Sequence, residues 1–412
     1  MGVREGIDAS DVSTAGWGLI LPADGGTEMR EALRPLIERR RAQAGERYRE
    51  FECRRSESAS GFLARHGMGP GPADPDRVPY YLLLVGGLDA FPLEFQSQLD
   101  VQYAVGRVAF DSPDGYRHYA ERVVRAEDAG SPAERIDLVA PGSADDQPAQ
   151  LMMHWLIEPL ASALRGRGMP VETTLGLAPT KECLMALLTR EGTPGLIFFA
   201  GHGVGFPNGD SRQAAHQGAL LCANWPGPVR WRGALPPEFY ISGDDIPEAC
   251  PGASIAVLYA SYSAATPKHD AFAQQLRREQ GTTSPRPLVA GLPQQLLGCP
   301  GEGPLAVIGM ADRVWGWALN GVRAQGPTVL IRSLLVGLLD GQRVGAAMEV
   351  VAQQYAELAA ALSGELEDRQ YGKQSDEEWL VDLWTAFNDA RAMVLLGDPA
   401  VRLAPRAPQS VA

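Results

Sequence analysis

The sequence contains no apolar run of about 18 residues, so no membrane-spanning helix is expected. Its start, MGVREGIDASDV, lacks the apolar core of a secretory signal. Gly6 stands where a myristoylation signal requires Ser or Thr. The five cysteines (Cys53, Cys183, Cys222, Cys250 and Cys299) are scattered and form no C-x-x-C pair. Neither a zinc ribbon nor a disulfide framework is indicated, and each thiol is expected as a small buried apolar group. There is no G-x-x-x-x-G-K-[ST] loop, no strand-borne G-x-G-x-x-G and no His/Cys/Asp cluster at ligand spacing. These absences leave a nucleotide- or metal-dependent enzyme without support, and neither cofactor nor metal is expected. Positive charge is also scarce: 37 Lys and Arg face 50 Asp and Glu, for a formal net charge of −13. The one dense basic stretch, Arg39-Arg40-Arg41, reads as a solvated helix face. Nucleic acid is therefore not an expected partner, nor is a membrane. A cytoplasmic protein fits all of these features.

What is present is a succession of short β-branched apolar runs alternating with helical patterns, the signature of an α/β fold with a mainly parallel sheet. Strands are expected at 16–22, 80–87, 104–110, 136–141, 171–177, 195–203, 254–261 and 305–310, with a short one at 219–223. Helices are expected at about 28–52, 114–127, 147–167, 179–190, 268–279, 327–340, 343–366 and 376–395. The pattern restarts after Gly130-Ser131-Pro132. This places a boundary near 130, between a smaller N-terminal α/β unit (1–130) and a larger catalytic unit (131–412). Two Gly/Pro-rich stretches, 204–245 and 279–304, read as long loops of functional character.

Two of the buried strands end in unusual sequences. FFAGHGVGF puts His202 between Gly201 and Gly203, and VLYASYSAATPKHDAF puts Ser261 at the end of the next apolar run. Chemistry in parallel α/β sheets gathers at the C-terminal strand edge. There His202 can serve as a base, the flanking glycines let a substrate backbone approach, and the N–H groups of Gly203 and Ser261 can hold an oxyanion. The spacing between His202 and Ser261 is of the order of the roughly 50 residues that separate histidine and cysteine in caspases.

YASYSAATPKHDAF resembles the CHAT-family pattern in which Ala-Cys-Tyr-Gly-Ala-Gly-Thr-Pro leads into an acidic-aromatic helix start. Ala260, Tyr262, Ala264, Thr266, Pro267, Asp270 and Phe272 match, Ser261 lies at the cysteine position, and Ser263 and Ala265 replace glycines. Segment 84–111 is similar to the first subdomain of CHAT and gingipain-like peptidases. LAVIGMADRVWGWAL (305–319) resembles the strand and loop flanking their cleft, and MVLLGDPAVRL (393–403) their closing strand.

The resemblance, to caspase-like clan CD peptidases, implies a caspase-like α/β/α sandwich preceded by a smaller α/β subdomain. It implies a cysteine endopeptidase acting through a thiolate and an acyl-enzyme, with His202 as acid/base, residue 261 as nucleophile, and Gly203 and Ser261 as the oxyanion hole. Asp100 is then expected in the pocket for a basic P1 side chain, the alternative being an acid that caps a turn or pairs with Arg107. Asp312 and Trp315 are candidates for the cleft wall. Asp210 and Asp244-Asp245 could orient the histidine or bind a substrate amine, although solvated loop acids are the plainer reading. His269 reads as surface in a helical first turn, and His216 has no evident partner. A serine hydroxyl is far less acidic than a thiol, so the chain as written is expected to be inactive or nearly so. Two origins stay open: an engineered Cys→Ser form of a peptidase, or a natural pseudopeptidase that binds a peptide in the same cleft. By family analogy the substrate is a protein partner, conceivably a pore-forming or other effector in bacterial defence, and Arg277, Arg278 and Arg286 are conceivable self-cleavage points.

Overall fold

The computed structural model describes residues 2–130, 135–189, 195–247, 255–270, 281–315, 325–372 and 376–404. Fourteen strands are assigned in chain order. They are β1 Trp17–Pro22, β2 Tyr48–Cys53, β3 Tyr81–Val85, β4 Ala104–Val108, β5 Arg135–Pro141, β6 Val171–Gly176 and β7 Gly195–Ala200. The rest are β8 Leu220–Leu221, β9 Tyr240–Ile241, β10 Ile255–Tyr259, β11 Ala265–Thr266, β12 Leu288–Val289, β13 Ala306–Met310 and β14 Met393–Gly397. Ten of them form one sheet in the order β2-β1-β3-β4-β14-β13-β10-β7-β5-β6. β8 pairs with β9 and β11 with β12 in two small antiparallel ribbons.

The apolar runs become strands for the reason the sequence suggests. β3, β7, β10, β13 and β14 are buried at every position, so helices cover both faces and the side chains need no alternation. One helix group, Arg34–Ala44, Pro113–Ala129 and Gly291–Gly298, packs together. A second group gathers Glu158–Gly166, Gln325–Leu339, Val344–Ala347, Glu349–Gln370 and Glu377–Ala392. The two sequence halves occupy opposite halves of one sheet. The C-terminal strand β14 sits between them, antiparallel to β13 and parallel to β4. Strands β1–β4 therefore run opposite to β13, β10 and β7, and the N-terminal ends of β3 and β4 share an edge with the C-terminal ends of that trio.

Several expectations change. The helix expected over 28–52 divides into Thr27–Ala32 and Arg34–Ala44, stops at Gly45 (φ +55°), and gives way to β2. In β2, Tyr-Arg-Glu-Phe-Glu-Cys points only Phe51 and Cys53 fully inward, as an outer strand does. Arg40 is not solvated: it is fully buried and ion-paired with Asp398 at 2.7 Å and Glu127 at 2.7 Å. Trp17 Nε1 donates to the same Asp398 carboxylate at 2.9 Å, tying β1 to the residue that follows β14. The stretch 279–304 holds β12 and the helix Gly291–Gly298, and 204–245 holds β8 and β9. The helix expected at 268–279 lies mostly outside the described residues. Its described start is extended, with exposed His269 bridging to Thr282.

Two buried arginines replace missing regular structure. Arg122 donates to the carbonyls of Leu296, Leu297, Gly301 and Pro304 and so clasps the segment leading into β13. Arg107 donates to the carbonyls of Gly86, Gly87 and Phe91 and to Gln96 Oε1, and burial lowers its pKa to about 9. Cys53, Cys222 and Cys299 are buried and Cys183 is partly so, while Cys250 lies outside the described residues.

Candidate active site

β7, β10 and β13 are parallel neighbours, with Ala200 level with Tyr259 and Leu258 level with Gly309. His202 lies two residues past β7 and Ser261 two residues past β10, so both emerge at the same edge. Gly203 brings them into contact. A Cβ on Gly203 would fall 1.8 Å from the Ser261 carbonyl oxygen and 2.9 Å from its nitrogen, an approach open only to glycine. Neither the Gly203 N–H nor the Ser261 N–H has a hydrogen-bond partner among the described residues. Both candidate oxyanion donors are thus uncommitted and lie side by side.

The His202 half of the site contains a residue that the sequence reading missed. His202 Nε2 lies 2.9 and 3.0 Å from the two carboxylate oxygens of Asp146, whose side chain is only 2% exposed. Asp146 follows β5, which pairs directly with β7. It is also the N-cap of the helix beginning at Gln147, accepting the Ala149 N–H at 3.3 Å. The positive end of that helix favours the carboxylate, and the cap fixes its rotamer. With Nε2–H directed at Asp146, the lone pair of the imidazole is left on Nδ1, as a base braced by a third group requires. The edge of the Trp225 indole covers the ring, with centroids 6.1 Å apart at 83°. The only signal available in the sequence was an Asp-Asp pair just before a helix at the end of a buried strand.

The Ser261 half is built from a turn. Ser263 N–H donates to the Ala260 carbonyl at 3.1 Å, leaving Ser261 and Tyr262 at the centre. Tyr262 has φ +61°, as a type II turn asks of that position, at a cost of about 1 kcal/mol for a side-chain-bearing residue. Anchors hold it there: Tyr262 N–H donates to the Asp312 carbonyl at 3.0 Å and Ala264 N–H to that of Met310 at 2.9 Å. Ser263 Oγ, fully buried, donates to the Leu258 carbonyl at 2.7 Å and accepts the Met310 N–H at 3.0 Å. Ser261 Oγ accepts the Val314 N–H at 3.0 Å, and no hydrogen bond joins it to His202 among the described residues.

Of the wall candidates, Asp312 and Trp315 lie on the segment that follows β13 and backs this turn. Asp312 is buried, its pKa raised by desolvation, with Arg391 at 3.7 Å. The Arg313 guanidinium lies over the Trp315 ring at 5.2 Å and reaches Asp270 at 3.0 Å. Beneath them is Asp389, which the sequence reading did not single out. Burial pushes its carboxyl well above the usual range, and the nearby Asp312 charge adds to the rise.

Asp100 is not brought to His202 or Ser261. It caps the start of β4, accepting the Val105 N–H at 3.2 Å, which is the turn-capping alternative. Burial raises its pKa, and it lines a separate cavity with Tyr80, Tyr103, Glu349 and Arg391. It occupies the same edge as Ser261, but three inter-strand spacings, roughly 14 Å, lie between β4 and β10. The loop acids also serve elsewhere. Asp210 pairs with Arg212, Asp245 with Lys181, and Asp244 with His216, which also meets Tyr240 Oη at 2.9 Å. Among the described residues no group of three His, Cys, Asp or Glu side chains is placed to hold a metal ion, and no helix is long and apolar enough to cross a membrane.

A solved structure described as "Structure of Protease" aligns with 95% of this chain and 79% of its own length, at 15% identity and a TM-score of 0.52. The chain has a peptidase-like fold. A complex of the pro- and mature domains of RgpB from Porphyromonas gingivalis aligns with 94% of this chain and 79% of its own, at 12% identity and a TM-score of 0.49. No family model and no curated protein matches the sequence. Within the peptidase-like fold, His202, Asp146 and the Ser261 turn occupy the C-terminal edge of the central parallel strands.

Proposed function

We propose that this chain is a caspase-like endopeptidase scaffold of the CHAT and gingipain type, in which residue 261 is a cysteine position occupied by serine. The observation that carries the reading is the buried Asp146 bracing His202 beside a turn whose tip is residue 261. With cysteine at 261, His202 Nδ1 takes the thiol proton and the thiolate attacks the scissile carbonyl carbon. The Gly203 and residue 261 N–H groups hold the oxyanion. His202 then gives the proton to the departing amine, and water, deprotonated by the same imidazole, hydrolyses the thioester. Asp146 stabilises the imidazolium throughout. A serine hydroxyl already used as acceptor by Val314 N–H, with no bond to the base, does not enter this cycle.

The substrate in this reading is a protein cleaved after a basic residue, selected by a carboxylate on the same sheet edge, with Asp100 and Asp312 as the acids to test. Ser261→Cys should cleave peptides with Arg or Lys at P1 in preference to Asp or Leu. If its cleavage never exceeds that of the Ser261→Cys/His202→Ala protein, the endopeptidase reading fails. The Val314–Ser261 hydrogen bond favours a second reading, a binding module that holds a peptide without cutting it. Peptide affinity of the unaltered chain, with no turnover after cysteine is restored, would select it.

A further inference from the structure

The wall beside His202 continues into a fixed, positively charged rim. Leu221, Cys222 and Trp225 line a small pocket together with His202, Asp146 and Ser143. The chain then passes through Pro226-Gly227-Pro228-Val229-Arg230-Trp231-Arg232-Gly233. This loop is anchored through Gly227 and Trp231. Gly227 (φ +103°) lies against Asp145 and Ser143, where a Cβ would come within 2.3 Å of Asp145 Oδ1 and 2.4 Å of Ser143 Oγ. Trp231 N–H donates to the Gly227 carbonyl at 3.0 Å, and its indole packs edge-on against Phe239 at 5.0 Å.

Two exposed arginines project from this frame. Among the described residues many arginines are in ion pairs, as Arg30, Arg47, Arg65 and Arg212 are. Arg230 and Arg232 form none among the described residues. Asp145, whose charge Arg230 feels, makes no ion pair with it and accepts a hydrogen bond from Ser143 Oγ. In a chain of net charge −13, these two exposed cations outside any ion pair stand on an anchored loop that continues the wall beside His202. His202 is the group that protonates the departing amine, so this rim flanks the leaving-group side of the cleft.

We propose that the Arg230–Arg232 rim docks an acidic segment of the protein substrate, on the C-terminal side of the scissile bond. The proposal rests on the peptidase reading for its direction, but its test needs no turnover. Two labelled peptides, identical except for a Glu-Asp-Glu or a Gln-Asn-Gln stretch after the central basic residue, are titrated against the chain with Ser261 in place. The acidic peptide should bind about fivefold tighter, the scale of one or two exposed charge pairs, and the advantage should fade at high salt. Arg230→Glu/Arg232→Glu should abolish that advantage, whereas the same charge change at Arg34→Glu/Arg117→Glu should not, with thermal melts confirming that both variants fold. Equal affinities, no binding of either peptide, an advantage that survives the double variant, or equal loss in the control would overturn the proposal. So would a single-stranded RNA that displaces the peptide from the same arginines at lower concentration. Peptide binding without cleavage by the Ser261→Cys form would sink the peptidase reading alone. Cleavage indifferent to the acidic stretch would sink the rim alone.

Discussion

The two halves of the cleft are finished to different degrees. On the His202 side, a buried carboxylate, a helix N-cap and an indole edge hold an imidazole with its second nitrogen available. On the Ser261 side, the same care has gone into the turn, with main-chain anchors from Asp312 and Met310 and a buried Ser263 hydroxyl. The side chain at its tip, however, accepts the main-chain N–H of Val314 on the facing wall. The difference separates scaffold from reagent. The braced imidazole and the two unengaged N–H groups are properties of the fold, whereas nucleophilicity belongs to a single sulfur or oxygen atom.

The comparison breaks most visibly if one atom restores activity. Ser261→Cys is expected to yield measurable peptide hydrolysis, and adding His202→Ala to lower it by about 10²–10⁴-fold, measured as kcat/KM. Asp146→Asn in the Ser261→Cys background should cost on the order of 10²-fold, chiefly in kcat, because it leaves the imidazole without the acceptor that sets its tautomer. A loss confined to KM would show that Asp146 merely shapes the pocket. Gly203→Ala tests the contact between the halves. Its methyl meets the Ser261 carbonyl, so a loss of about 1–3 kcal/mol in denaturant unfolding is expected, together with loss of activity in the cysteine form. Ser263→Ala removes the buried hydroxyl that bridges the Leu258 carbonyl and the Met310 N–H and should cost about 1 kcal/mol, without altering the His202 side.

The smallest effect concerns pH. Asp389 and Asp312 have pKa values raised in the folded state by burial. Such groups hold more protons folded than unfolded, so their contribution is full below the unfolded value of about 3.9 and is lost as pH rises through the folded one. Asp389→Asn should therefore flatten the decline of stability with rising pH by up to about 1.4 kcal/mol per pH unit within that window. An unchanged slope in denaturant titrations would remove Asp389 from the account.

The central strands were legible because full burial writes itself as an uninterrupted apolar run: GLIFF, IAVLY and AVIGM carry no alternation to misread. The outer strand β2 was not, because its Arg and Glu residues continue the composition of the preceding helix and only Phe51 and Cys53 betray the two-residue period. Likewise, the burial of Arg40 depends on Asp398, 358 residues away, which no local pattern announces. His202 and Ser261 were found because glycines and strand ends mark them. Asp146 lies 56 residues from its partner and is joined to it only by the pairing of β5 with β7. Asp100 shows the reverse. Its local context resembles that of a family, while its place in the sheet is fixed by β14, a strand made almost three hundred residues later.

That late strand also sets an order of events. β14 fills the gap between β4 and β13, and the Ala311 N–H that leads into the cleft wall donates to Ala392 at 2.6 Å. A chain still emerging from the ribosome has already made His202, Asp146 and residue 261, but it presents β4 and β13 as two open edges with nothing between them. The wall carrying Asp312 and Val314 acquires its support only when β14 pairs with β13. A chain assembled in this way keeps its cleft wall unsupported until β14 has paired, and removal of β14 would leave His202 beside an incomplete cleft and two open strand edges.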